Sequence, residues 1–283
     1  MASTPRKRLP LLLLPLALVL AFAFGSGGVQ AQTAGIPSVG VQFDLPGSYA
    51  VTVTPAANHT YYHPTTMGAG GVDHPVILWG NGTGVTNDVY SGLLRHYASQ
   101  GFIVAAANTT NSGTGREMLA GLDELTRMNA DPASTFSGKV DLTRVGSTGH
   151  SQGGGGAIEA AADPRVDTTF PMQPYRGTVA NIRGSAFFMS GQNDTTIPPI
   201  TVLSKYQAAS SKPAVYGELA GATHFIPAGA GGGYRYAATA WARLELMDDE
   251  MAKLAFFGDS CVLCQSAEWS DFQVNALAQR SPK

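Results

Sequence analysis

The stretch Gly149-His150-Ser151-Gln152-Gly153, with glycine continuing at 154–156, has the form G-x-S-x-G. It places a serine hydroxyl on a turn that small residues allow to be sharp. Such a turn joins a strand to a helix and lifts the hydroxyl clear of the sheet, where side chains at 149 and 153 would strike neighbouring backbone. The plain alternative is a glycine-rich turn that happens to hold a serine, in a chain with 34 glycines. A hydroxyl is a weak nucleophile until a base takes its proton, so the rest of the chain has to supply that base.

In sites built on this turn the order along the chain is serine, acid, histidine. Only His224 follows Ser151 among the histidines, so it is the base by elimination. It sits in Gly221-Ala222-Thr223-His224, a turn after an expected strand. The acid must lie between the two, and Glu159, Asp163, Asp167, Asp194 and Glu218 are the candidates. Asp194 follows the apolar run 186–189 in Ser190-Gly191-Gln192-Asn193-Asp194, at the carboxyl end of a buried strand. Ligands of open α/β sheets bind at that edge. Glu159 and Asp163 lie on the helix leaving the serine, Asp167 begins a strand at the wrong edge, and Glu218 lies within one. Asp194 is therefore the expected acid.

A tetrahedral oxyanion needs preorganised N–H donors. Gln152, directly after the serine, is expected to give one backbone N–H. The loop Gly80-Asn81-Gly82-Thr83-Gly84 after an earlier strand is expected to give the other, at Thr83. Neither glycine stretch continues into Lys-Ser/Thr, which excludes a phosphate-cradling loop.

Alternation and helical spacing predict the elements that carry these residues. Strands are expected at 49–54, 75–79, 102–107, 145–148, 168–172, 186–190 and 214–219. Helices are expected at 88–100, 115–130, 153–162, 199–210 and 234–257. Strands alternating with helices imply a mostly parallel sheet covered on both faces. The segment 58–71 reads as a loop, and His59, His63 and His74 in or beside it read as surface histidines without metal-ligand spacing.

The charge balance is −2, and no basic run follows the first residues, so nucleic acid is not an expected partner. Arg6, Lys7 and Arg8, the apolar run 9–24 and Val29-Gln30-Ala31 read as an export leader over 1–31. No later stretch is apolar enough to cross a bilayer. One domain is expected over 32–283, exported to the periplasm or the medium. Export permits a disulfide between Cys261 and Cys264, which close a small loop near the C-terminus.

The stretches Gly101-Phe102-Ile103-Val104, Lys139 to Gly146, Gly149 to Gly155, Gln192 to Pro198 and Gly221 to His224 resemble the secreted bacterial polyester hydrolases. These are cutinase-like enzymes that include poly(ethylene terephthalate) hydrolases. The resemblance extends to dienelactone-hydrolase and chlorophyllase relatives, which share the Gly-His-Ser turn. It implies an α/β-hydrolase fold without a large lid, an open cleft, no cofactor, and an ester substrate that can be polymeric. It also implies the roles already given to Ser151, Asp194, His224, Thr83 and Gln152. The chain departs from the family at several places. Thr83 stands where the family usually has an aromatic residue, Gln152 where it has methionine, and Tyr175 where an aromatic wall residue is commonly Trp. The family's C-terminal disulfide is wider than Cys261–Cys264. Tyr175, Phe225, Ile226, Trp79 and Met172 are candidates for an apolar wall, with core packing as the alternative for Trp79 and Met172.

Three activities fit this reading: a serine esterase for polymeric or bulky apolar esters, a small-ester esterase or lipase, and a catalytically silent exported binding protein.

Overall fold

The computed structural model describes residues 1–2 and 35–280. The leader expected over 1–31 lies outside the described residues except for its first two. In chain order the elements are β1 (Val51–Pro55), β2 (His59–Pro64), β3 (His74–Gly80), α1 (Ser91–Ser99), β4 (Ile103–Ala107), α2 (Arg116–Ala130), β5 (Val140–Gly149), α3 (Gln152–Ala160), β6 (Thr168–Thr169), β7 (Ser185–Gly191), α4 (Pro199–Ala208), β8 (Ala214–Leu219), α5 (Tyr234–Met247), α6 (Glu250–Phe256), α7 (Val262–Gln265), β9 (Trp269–Val274) and α8 (Ala276–Arg280).

The strands form one sheet in the order β1-β2-β4-β3-β5-β6-β7-β8-β9. From β4 to β8 neighbouring strands run parallel, while β1, β2 and β9 pair antiparallel at the two edges. The central strands read as unbroken apolar runs because both faces are covered. Ile77 and Trp79 of β3 point into one core with α1, α5 and α6. Val76 and Leu78 point into the other with α2, α3 and α4. This is the expected mostly parallel α/β architecture.

Three expectations are corrected. The segment read as a loop at 58–71 contains β2, which pairs with β1 on one side and β4 on the other. His59 and His63 are therefore buried strand residues, and His74 begins β3; none is a surface histidine. His59 Nε2 bonds the Glu117 carbonyl at 2.8 Å, His63 Nε2 the Thr54 hydroxyl at 2.9 Å, and His74 Nδ1 the Gly101 carbonyl at 2.7 Å. Polar side chains concealed the strand because their hydrogen bonds are made inside the protein.

The long helix expected over 234–257 is broken. Asp248 adopts a left-handed conformation at φ 50°, and Asp249 caps α6 by accepting from the Met251 N–H. Asp249 also holds the buried Arg243 guanidinium at 2.6 Å. The same guanidinium donates to the Pro37 carbonyl at 2.9 Å, which ties the N-terminal segment to α5. Strand β9 was not expected. Trp269, Phe272 and Val274 carry its apolar side, but the polar residues between them weaken the alternation. A disulfide joins Cys261, at the start of α7, to Cys264 within it, as expected.

Burial of histidine has a consequence for stability. Desolvation pushes His96 and His150 down to about 4 from an ordinary 6.5, and lowers His63 and His74 as well. On acidification the unfolded chain takes up protons near pH 6.5, whereas these folded residues do not until the pH is much lower. Stability is present above the ordinary histidine range and is lost as pH falls towards 4. Each tenfold difference in proton affinity is worth about 1.4 kcal/mol. The midpoint of urea unfolding is expected to be clearly lower at pH 5 than at pH 7.5. Equal midpoints would contradict neutral burial.

Candidate active site

Ser151 stands between β5 and α3 with φ 55° and ψ −114°, outside the regions that side chains favour. Two close approaches impose this turn. The His150 N–H donates to the Gly80 carbonyl at 3.2 Å, and the Ser151 N–H to the Met172 carbonyl at 3.0 Å. A Cβ on Gly153 would overlap the Gly80 carbonyl, and one on Gly149 would come within 2.5 Å of that oxygen. Glycine is needed at these positions because the backbone of β3 passes so close.

The expected acid and base converge on this serine. His224 Nε2 lies 3.0 Å from Ser151 Oγ, and His224 Nδ1 lies 2.7 Å from Asp194 Oδ2. Asp194 follows β7 and His224 follows β8, so both loops leave the carboxyl edge of the sheet, as the loop after β5 does. The other oxygen of Asp194 accepts the N–H groups of Thr196 and Ile197, each at 2.8 Å. Those bonds fix the face the side chain presents to His224. All three side chains are largely shielded, with Asp194 3% exposed.

Thr83 lies on the exposed loop after β3, at the rim of a cleft of about 270 Å³. Gln152 opens α3 in the turn where helix N–H groups have no partner within the helix. Its side chain turns away and accepts the Ser112 N–H at 3.1 Å.

Phe225 lines the cleft and is 73% exposed, whereas Tyr175 is half exposed and does not line it. The Tyr175 ring carries the Arg176 guanidinium 4.9 Å above it, and its backbone N–H donates to the Ser151 carbonyl at 3.0 Å. Trp79 and Met172 are fully buried core residues, and Ile226 packs against the same core. The apolar wall is instead completed by Val85, Val89 and Ala228, which the sequence reading did not single out. Tyr90 and His150 also reach the cleft. His150 is held neutral by burial first and by the neighbouring His224 second. A nucleophile, a base, an orienting carboxylate and nearby helix-start N–H groups together can carry out acyl transfer.

A family model described as PET hydrolase-like matches residues 31–275 of the chain. A bis(hydroxyethyl) terephthalate hydrolase of Streptomyces coelicolor is 30% identical over 188 residues, which is 63% of this chain and 58% of that protein. Cutinase 2 of Thermobifida cellulosilytica is 29% identical over 145 residues, 48% of this chain and 54% of its own length. Cutinase est2 of Thermobifida alba is 30% identical over 153 residues, 50% of each chain. The matched stretches thus span only about half of these relatives.

Proposed function

The chain belongs to the PET hydrolase-like family, and on that premise we propose that it is a serine carboxylic ester hydrolase for polyesters or other bulky apolar esters. The observation that carries the reading is the hydrogen-bonded run from Ser151 through His224 to Asp194. Ser151 Oγ attacks the ester carbonyl while His224 Nε2 takes its proton. Asp194 keeps the other ring proton on Nδ1 and stabilises the imidazolium that forms. The backbone N–H groups of Thr83 and Gln152 receive the oxyanion. His224 then gives its proton to the departing alcohol. Water, activated by the same imidazole, releases the acid from Ser151.

Support for a bulky substrate comes from the cleft. Phe225 projects into solvent beside His224, and Val85, Val89 and Ala228 line the same cleft as Ser151 with apolar side chains. Between β6 and β7 the only helical segment is the short 3-10 turn Val179–Asn181, too short to form a helical lid. A small-ester activity is the second reading. It is favoured by the place of Tyr175 outside the cleft lining, which leaves the aromatic wall one-sided. We further assign residues 1–31 to a removable export leader and 32–283 to a single hydrolase domain.

A series of p-nitrophenyl esters from acetate to laurate, run beside a terephthalate polyester film, separates the two substrates. Turnover of the soluble esters with release of soluble aromatic acid from the film is expected. Turnover of the short esters with no release from the film would favour the small-ester reading.

A further inference from the structure

Beside Ser151 lies a run of buried polar groups that ester hydrolysis by the triad does not use. The Gly82 N–H, in the loop assigned to the oxyanion, donates to the Tyr90 hydroxyl at 3.2 Å. That hydroxyl lies 2.9 Å from His150 Nδ1. Among the described residues it has no other acceptor, so its proton is directed at Nδ1 and the imidazole proton is left on Nε2. Among the described residues, His150 Nε2 and Gln173 Oε1 are both buried without a hydrogen-bond partner, one a donor and the other an acceptor. Burial lowers the proton affinity of the His150 ring, and the His224 backbone and then the Gln173 carboxamide beside it oppose that effect. At its other end, Gln173 Nε2 donates at 3.0 Å to the carbonyl of Thr223, the residue before His224.

Two further observations mark this run as more than core filling. Gln173 is fully buried and has φ 48°, a left-handed conformation that a non-glycine residue keeps only when its surroundings dictate it. The His150 ring also packs against His224, with centroids 4.7 Å apart. Tyr90 packs its ring on Trp79, a contact phenylalanine would keep, so its hydroxyl serves the polar run rather than the packing.

We propose that Tyr90, His150 and Gln173 form one buried strut that fixes the oxyanion loop and the base loop about Ser151, with Tyr90 and Gln173 as positioning residues for ester hydrolysis. The assignment rests on the serine hydrolase reading. The strut joins the loop that receives negative charge to the loop that receives the proton, so loosening either end misplaces both relative to the nucleophile.

The test compares Tyr90→Phe, Gln173→Met and the double variant on p-nitrophenyl butyrate, with Ser151→Ala as the control for serine dependence. Each single variant is expected to lose about tenfold in kcat with KM changed by less than about twofold, since small misplacements of reacting groups act on the chemical step. The double variant is expected to lose little more than the worse single, because both cut the same strut. Folded single variants with wild-type kcat would overturn the proposal. So would losses that multiply, or an effect confined to KM. Nitrogen-15 spectra of the imidazoles provide a readout independent of turnover. His150 is expected to carry its proton on Nε2 in the wild type and to become a tautomer mixture in Tyr90→Phe. A wild-type proton on Nδ1 overturns the strut whatever the activity. Turnover that survives in Ser151→Ala, with His150 in the expected tautomer, overturns the hydrolase reading and the positioning role but leaves the buried polar run standing.

Discussion

Replacement of Ser151 by alanine is expected to lower the kcat for p-nitrophenyl butyrate by about four to six orders of magnitude, with the protein still folded. The substitution deletes one oxygen, and the bond that oxygen makes is to His224 Nε2. The strained turn depends on backbone contacts to Gly80 and Met172, which alanine leaves in place. Residual turnover would come from the oxyanion donors and from a correctly held water. Fluorophosphonate labelling of the protein is expected to vanish in parallel. A rate within tenfold of the wild type would remove Ser151 from the reaction. The scheme built on His224 and Asp194 would then have to be given up.

The second large effect is expected from Asp194→Asn, a loss of about four orders of magnitude in kcat with little change in KM. The direction follows from the two peptide N–H groups that bind this side chain. Thr196 and Ile197 both donate to Oδ1, so they select the carbonyl oxygen of the new carboxamide. Its NH2 group then faces His224 Nδ1, where a carboxylate oxygen lies at 2.7 Å in the native protein. Nδ1 has to become an acceptor, and the ring proton moves to Nε2. That nitrogen now presents a hydrogen to Ser151 Oγ and cannot take one away. The imidazole is in place but in the wrong tautomer. A loss of less than about tenfold would mean that Asp194 does not set the tautomer.

Much of this site was legible in the sequence because its members are few and ordered. Ser151 announces itself through the glycines that the turn requires. His224 follows by elimination, and Asp194 by its place just past an apolar strand. Each of these inferences needs only local pattern and chain order. What escaped notice depends on contacts between distant segments. Strand β2 looked like a loop because His59 and His63 satisfy their polar atoms inside the fold, which composition does not reveal. The break between α5 and α6 needed the pairing of Asp249 with Arg243 to be known. Met172 and Trp79 were candidates for the cleft, yet the sheet turns both into the core. Tyr90 and Gln173 gave no signal, since their neighbours in the fold lie 8 and 50 residues away in the chain.

The four glycines that open α3 have a bearing on where stability resides. Glycine in a helix is about 1 kcal/mol less favourable than alanine, so this first turn has almost no tendency to form by itself. It is shaped from outside. Added Cβ atoms at 154 and 155 would press on the carbonyls of Met172 and Arg176, and one at 156 would overlap that of Ser112. The backbone of α3 therefore fits a mould made by three other segments. The helix that carries the reactive turn draws its order from the sheet and from those loops. As a consequence it cannot outlast them. Local loosening of the scaffold, well short of global unfolding, is enough to dissolve the geometry at Ser151.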